Sequence, residues 1–494
     1  MTRVARDAPA PPDSGSRPAD ARSRLGILLG LSLVTFLLLV DDTAVSVALP
    51  SIQEQLGVGF ATLQWVVTGY SLVIAAFTLL AGRLADRNGA RRVFLLGLLV
   101  FIGGSLVVGL AANAPVLITF RAVQGLGAAL VAPAALALIA STFPKAQRGA
   151  ALGVWAGVSA SALGIGPLFG ALITDSLGWQ WIFLLNVPLG AGAWFVARSV
   201  LPRSAPARAK LRVDVLGAAL SAVALVSLIV TLGQGSALGW TSSPVLALAL
   251  LTAVSFGLFV VHERRTADPL VLLSQFRNRF FAAANGITLL STAVMCSLFF
   301  FLALYLQTVL GFSAIASGLS LLPLTGTIIL VAPLAGRLAD RFGARVLVGG
   351  GMLLLAAALL GMSTLGVRAD VPAMILWFTL AGLGIALART PTTTVALGAT
   401  EESRYGVASG TLNTFQATGL AFGIALMGAI LASFDPSAAF ERTGPVRAQL
   451  FVQGFSTALA INSGIAVITA LVAVVFFRPA TPRTRVGRIH ESGV

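Results

Sequence analysis

The chain is short of the residues that carry most enzymatic chemistry. Its 494 residues include one cysteine, Cys296, and two histidines, His262 and His490. A single thiol excludes an intrachain disulfide and any thiolate cluster, and two histidines in loop or tail sequence leave zinc without a ligand set. Charge is scarce too: 10% of residues are Asp, Glu, Lys or Arg, against 57% hydrophobic. That balance does not describe a soluble domain. With no nucleophile set, metal set or soluble domain, an enzyme or a sensor is not expected, and no cofactor or metal is expected either.

What charge there is leans one way, to a net +15. In a soluble protein this would suggest nucleic acid. Here the cations lie in loops and tails between apolar runs, so the lipid bilayer with its anionic headgroups is the expected partner and nucleic acid is not.

From about Leu25 the chain falls into fourteen apolar stretches of roughly 18 to 25 residues, the length an α-helix needs to cross a bilayer core. With the N-terminus inside, 28 of the 33 Lys and Arg fall in cytoplasmic segments; Arg368, Arg442 and Arg447 fall outside, and Arg121 and Arg389 within spans. This bias predicts both termini in the cytoplasm. The expected architecture is an all-α membrane protein. Residues 1–24 read as a disordered cytoplasmic tail rather than a signal peptide, 25–200 as a six-helix bundle, 201–280 as basic linkers with two inserted helices, 281–477 as a second six-helix bundle and 478–494 as a cytoplasmic tail.

One loop occurs twice. Leu80 to Arg91 returns 254 positions later as Leu334 to Arg345, and only Asn88 against Phe342 differs. Gly82, Asp86, Arg87 and Gly89 correspond to Gly336, Asp340, Arg341 and Gly343. Each copy joins two apolar runs. The glycines suit a sharp turn, the aspartate suits the start of the next helix, where the dipole favours an anion, and the arginines suit a headgroup surface. Both copies lie in the cytoplasm only if the two extra helices sit between the bundles. Parallel halves of this kind point to a membrane transporter.

The first span carries Asp41 and Asp42. A carboxylate at the centre of a membrane helix costs roughly 2.5 to 3.5 kcal/mol on insertion scales, so such groups face a wet interior and work, or pair with a neighbour to lock the bundle. The two are about 100° apart on a helix, so one is expected to do the work, and spacing leaves open which. Arg121 in the fourth span is a partner by depth, since Asp41 and Arg121 lie roughly 13 and 9 Å below the outer ends of their spans. Arg121, Gln124, Gly125, Ala128 and Ala132 share one face.

The fifth span carries two lines of small residues, Gly153, Gly157 and Ser161 on one and Ala162, Gly166 and Gly170 on the other, with Pro167 in the middle. These fit a helix that slides or bends, and equally the packing of an ordinary bundle. Gln124, Tyr305, Asn413 and Gln416 are candidate cavity contacts for a small amphipathic organic substrate, although packing or lipid contact also fits the Phe-rich run before Tyr305. Arg389, near the cytoplasmic end of the twelfth span, is read as snorkelling.

These motifs together resemble the major facilitator superfamily, and within it the fourteen-helix drug:proton antiporters. The likeness rests on both loop copies, on Asp41-Asp42-Thr43 through Ala48-Leu49-Pro50, on Arg121-Ala122-Val123-Gln124-Gly125 and on Gly166-Pro167-Leu168-Phe169-Gly170. Trp179 to Pro188 and Tyr305-Leu306-Gln307 add to it.

The resemblance implies a major facilitator fold: a monomer of two six-helix bundles, plus two inserted helices, rocking about a central cavity in the cytoplasmic membrane. It also implies efflux of amphipathic drugs or an antibiotic, driven by protons moving inward. It assigns Asp41 as the coupling acid, Arg121 as its partner, and Gly166 with Pro167 as the antiporter motif. Three positions depart from the family pattern: Asp42, Gln180 in place of a frequent arginine, and Ala171 in place of the motif's last glycine. The later spans have no interior acid, so neutral or singly charged amphipaths are expected rather than dications. Export of a siderophore, lipid or metabolite, or proton-coupled uptake, are the alternatives on the same fold.

Overall fold

The computed structural model describes residues 21–58, 60–201, 214–368, 370–434 and 445–477. Most of the expected tails, 1–20 and 478–494, and most of the basic linker, 202–213, lie outside the described residues. The described ones form helices and turns, with no strand.

The first half consists of α1 (Ala21–Leu56), α2 (Phe60–Asn88), α3 (Ala90–Gly109), α4 (Ala114–Thr142), α5 (Lys145–Leu177), the short α6 (Gln180–Leu184) and α7 (Asn186–Val200). Two helices follow, α8 (Val215–Leu238) and α9 (Ser243–Arg265). The second half runs through α10 (Arg279–Leu304), α11 (Ala314–Ser320), α12 (Leu322–Phe342), α13 (Ala344–Met362), α14 (Val371–Gly398), α15 (Tyr405–Phe434) and α16 (Pro445–Phe476).

The starts of several helices are written locally. Asn113, with Pro115 behind it, caps α4 by accepting from the Val116 amide at 3.0 Å, and Asp214 caps α8 through the Gly217 amide at 2.8 Å. Asp370 does the same for α14 through Ala373 at 3.1 Å. Each cap satisfies a first-turn N–H that no helix carbonyl reaches.

Twelve helical stretches among the described residues are long and apolar enough to cross a membrane. The protein is therefore a multi-pass membrane protein. The fifth and thirteenth stretches of the sequence pattern fall on α5 and α15, which are 33 and 30 residues long but are not among those twelve.

Within the first half α3 packs on α4, α1 on α5 and α2 on α4; within the second, α13 packs on α14 and α16, α12 on α14 and α10 on α15. The halves meet along two crossings, α2 with α15 and α5 with α12. Both are backbone contacts through glycine. A Cβ on Gly82 would collide with the Gly406 carbonyl, and one on Gly336 with the Gly149 carbonyl. Helices α8 and α9 pair with each other, and α8 lies against both partners of the first crossing. Much of the outward surface of α9 is exposed Leu, Val and Phe, as a lipid-facing helix requires.

Candidate functional site

At the heart of the first half lies an ion pair with no exposed surface on either side chain. Arg121 Nη1 donates to Asp41 Oδ2 at 2.6 Å. The depth comparison had put these two residues at one level, and the structure brings them into contact. The other carboxylate oxygen of Asp41 accepts from Gln124 Nε2 at 3.0 Å and from Asn186 Nδ2 at 2.6 Å. Gln124 also accepts from Arg121 Nη1 at 2.7 Å and donates to Ser105 Oγ at 2.7 Å. Arg121 Nε reaches the Val66 carbonyl at 3.3 Å, and the guanidinium lies over the Tyr70 ring, 4.2 Å from its centroid. Residues of α1, α2, α3, α4 and α7 thus form one hydrogen-bonded network around a single carboxylate.

Two expectations are corrected here. The 100° separation of Asp41 and Asp42 does not keep them apart, because Arg121 is long enough to serve both. Its Nη2 lies 3.8 Å from Asp42 Oδ1, and Asp42, unlike Asp41, keeps a third of its side chain exposed. Gln124 does not line the cleft described below; it is fully buried and belongs to the Asp41 network.

Asn186 and Ser105 are the residues sequence reasoning missed. Asn186 sat inside the quoted stretch Trp179 to Pro188, where an amide opening an apolar helix was the available signal. Ser105 lies in a small-residue run and gave none.

A second site lies between the halves. It is a cleft walled by Leu136 and Trp155 of the first half and by residues of α10, α14 and α15, including Ser291, Arg389, Asn413 and Gln416. Asn413 and Gln416 thus face the cleft as expected. Tyr305 does not: its ring stacks on Phe455 at 5.0 Å, its hydroxyl donates to the Gly366 carbonyl at 2.6 Å, and it is fully buried. Arg389 does not snorkel. It lines this cleft and an adjoining recess formed by Met295, Met352, Leu355 and Ile385.

The repeated loops sit at one end of both crossings. Gly89 and Gly343 hold φ of 90° and 82°, a left-handed conformation that costs glycine little, and each turns the chain into the next helix. Asp86 does meet a helix start, but not that of the following helix. Its two oxygens accept from the Gly406 and Val407 amides of α15, in the opposite half, at 2.7 and 2.8 Å. Arg83 pairs with Asp268 at 3.4 Å, while Arg87 is half-buried. In the second copy Asp340 and Arg341 are exposed.

Nearby, Arg148 donates to the Tyr405 hydroxyl at 2.7 Å, a further tie between halves. In α5, a Cβ on Gly166 would collide with the Thr43 hydroxyl of α1, and the helix runs on unbroken through Pro167.

The chain as a whole matches known proteins on several counts. Over 421 residues the chain is 37% identical to the multidrug resistance protein Stp of Mycobacterium tuberculosis, covering 84% of this chain and 77% of that one. It is 35% identical over 422 residues to the tetracenomycin C resistance and export protein of Streptomyces glaucescens, covering 85% and 78%. Among solved structures it resembles the human organic anion transporter MFSD10 (TETRAN) with a TM-score of 0.59 at 17% identity, covering 91% and 97%, a likeness of fold. The Major Facilitator Superfamily profile matches residues 31–331 and 319–492. Together these matches span nearly the whole chain, and the chain belongs to the Major Facilitator Superfamily.

Proposed function

We propose that this protein exports small amphipathic organic compounds, drugs or an antibiotic among them, across the cytoplasmic membrane in exchange for protons. In this reading it has fourteen spans, both termini and both repeated loops face the cytoplasm, and the monomer is the working unit. Kinship with resistance and export proteins supports the direction and the substrate class. The positive charge on the loops supports the orientation.

The observation that carries the coupling is the arrangement around Arg121. An ionised Asp41 accepts three hydrogen bonds, one of them from the guanidinium. A proton arriving at Asp41 removes that acceptor and leaves a buried cation in need of another. Asp42 Oδ1 stands 3.8 Å from the same guanidinium, and a third of the Asp42 side chain is exposed. One proton is then accommodated by shifting Arg121 between two carboxylates, which alters how α1 and α4 pack and so which side of the cleft opens. Substrate leaves the cleft on the outward side, and the proton is released inside when Arg121 returns to Asp41.

The test uses vesicles with an imposed pH gradient. Asp41→Asn is expected to abolish gradient-driven accumulation of substrate, a loss of at least about 100-fold, as befits removal of an obligatory proton acceptor. Asp42→Asn is expected to slow transport while keeping it gradient-dependent. Unchanged pH dependence in Asp41→Asn, at normal protein level, would defeat this reading.

A further inference from the structure

We propose that the cleft between the halves holds the anionic, acceptor-rich head of an amphipath, with Arg389 as its counter-charge. This rests on the export reading and narrows its substrate class.

The two arginines inside the bundles have opposite surroundings. Arg121 is neutralised by Asp41 at 2.6 Å. Arg389 has no carboxylate within ion-pair distance among the described residues, and its one hydrogen bond there runs from Nη1 to the Met295 sulfur at 3.2 Å, a weak acceptor. The acids of the second half among the described residues, Asp340, Asp370, Glu401 and Glu402, lie at helix ends or in loops. A guanidinium inside a membrane bundle is expensive, and such groups normally face a partner or a substrate path. Here no carboxylate among the described residues answers it, and the group faces the cleft.

A second donor points the same way. Asn413 Nδ2 is buried with no hydrogen-bond partner, and Asn413 lines the same cleft. The hydroxyl protons of Thr392 and Thr393 are spent on the Ala388 and Arg389 carbonyls. Arg389 and Asn413 are thus donors the cleft leaves for a ligand, with Gln416 beside them, and they suit a carboxylate, sulfonate, phenolate or enolate. Beside Arg389 the recess of Met295, Met352, Leu355 and Ile385 is apolar, and Trp155 walls the other side, so apolar surface flanks the charge; cleft and recess are narrow in this conformation, about 20 and 10 Å³, and widen to admit an organic body. A cation would meet Arg389 as a like charge.

The purified full chain in lipid nanodiscs tests this with two probes sharing one ring system, 8-anilinonaphthalene-1-sulfonate and its uncharged parent N-phenyl-1-naphthylamine. Arg389→Gln should weaken saturable sulfonate binding about tenfold or more, the scale of a lost charge-assisted hydrogen bond, and leave the parent within about twofold. Arg389→Lys should keep part of the preference, because charge survives without the guanidinium fork. Energy transfer from tryptophan to bound sulfonate should fall in Trp155→Phe. Binding of the parent by Arg389→Gln reports that the variant is folded. If Arg389→Gln alters both probes alike or neither, the anion assignment is wrong while export of amphipaths stands. If sulfonate emission is indifferent to Trp155→Phe, the site is elsewhere and the proposal is overturned. Absence of saturable sulfonate binding to the wild type also overturns it, and the Asp41 vesicle assay then judges the export reading separately.

Discussion

Asp86 and Asp340 occupy equivalent places in two loops that differ at one position in twelve, yet only Asp86 reaches the backbone of the other half. The cause lies in the helices they face. The two crossings are equivalent, Gly82 against Gly406 and Gly336 against Gly149. Helix α15 begins at Tyr405, so the Gly406 and Val407 amides belong to its first turn and have no helix carbonyl to bond. Helix α5 begins at Lys145, and the matching residues Gly149 and Ala150 are its fifth and sixth, whose amides are already used inside the helix. An earlier helix start of about one turn therefore removes the donors that Asp340 would need. A repeated motif takes its role from what it meets, and duplication of the loop does not duplicate its contact.

If this account holds, the glycines of the two copies should behave alike while the acids do not. The largest effect is expected at the glycines. Gly82→Ala and Gly336→Ala each place a methyl against a backbone carbonyl that cannot rotate away. Forcing the helices apart should cost about 1 to 3 kcal/mol in the closed form of this end, the usual scale for overpacking, and transport in vesicles should fall roughly tenfold or more in both variants. Normal transport by only one of the pair would show that the crossings are not equivalent.

Next in size is Asp86→Asn. An amide keeps one acceptor oxygen but turns an NH2 towards a second amide donor, and loses the charge that suits a helix start. Hydrogen bonds to a charged group contribute about 1.5 to 3 kcal/mol, so transport should drop about tenfold at unchanged expression. Wild-type rates in that variant would reduce the contact to packing.

The all-α membrane architecture was legible because span length reports directly on the bilayer. The Asp41–Arg121 pair was legible as well, since depth along two helices needs only 1.5 Å per residue. What sequence did not reveal are facts of azimuth and of distant partners. Asn186 reaches Asp41 from the sixth apolar stretch, and depth along that stretch does not fix where its amide points. Tyr305 opens a π-helical turn, Tyr305–Val309, whose extra residue per turn spoils any facing predicted from α-helical spacing. Depth alone does not say whether Arg389 meets lipid or a cleft. Asp86 was given the right kind of partner, a helix start, and the wrong helix, since proximity in sequence suggested α3.

A smaller effect is expected where the first copy touches the inserted pair. Arg83 is nearly buried and pairs with Asp268, which is a third exposed, in the segment after α9. Solvent on one partner limits such a pair to about 0.5 to 1 kcal/mol, so Arg83→Gln should slow transport only two- to fivefold. The second copy, with Arg337 exposed, should show no counterpart to this loss.

The smallest effect, and the sharpest test of the comparison, belongs to Asp340→Asn. Asp340 is exposed, and no hydrogen bond or ion pair ties it to another described residue. Surface substitutions away from specific contacts change stability by about 0.5 kcal/mol or less, so transport within about twofold of wild type and an unshifted thermal unfolding profile are expected. The measurement pairs Asp340→Asn with Asp86→Asn in the same vesicle assay, because the ratio of the two rates cancels differences in reconstitution. A ratio near unity would mean that Asp340 acquires a partner elsewhere in the transport cycle, when the α5–α12 crossing opens or α5 frays at its start. A ratio of about ten in favour of Asp340→Asn would fix the asymmetry on the one feature that separates the crossings, the residue at which the opposing helix begins.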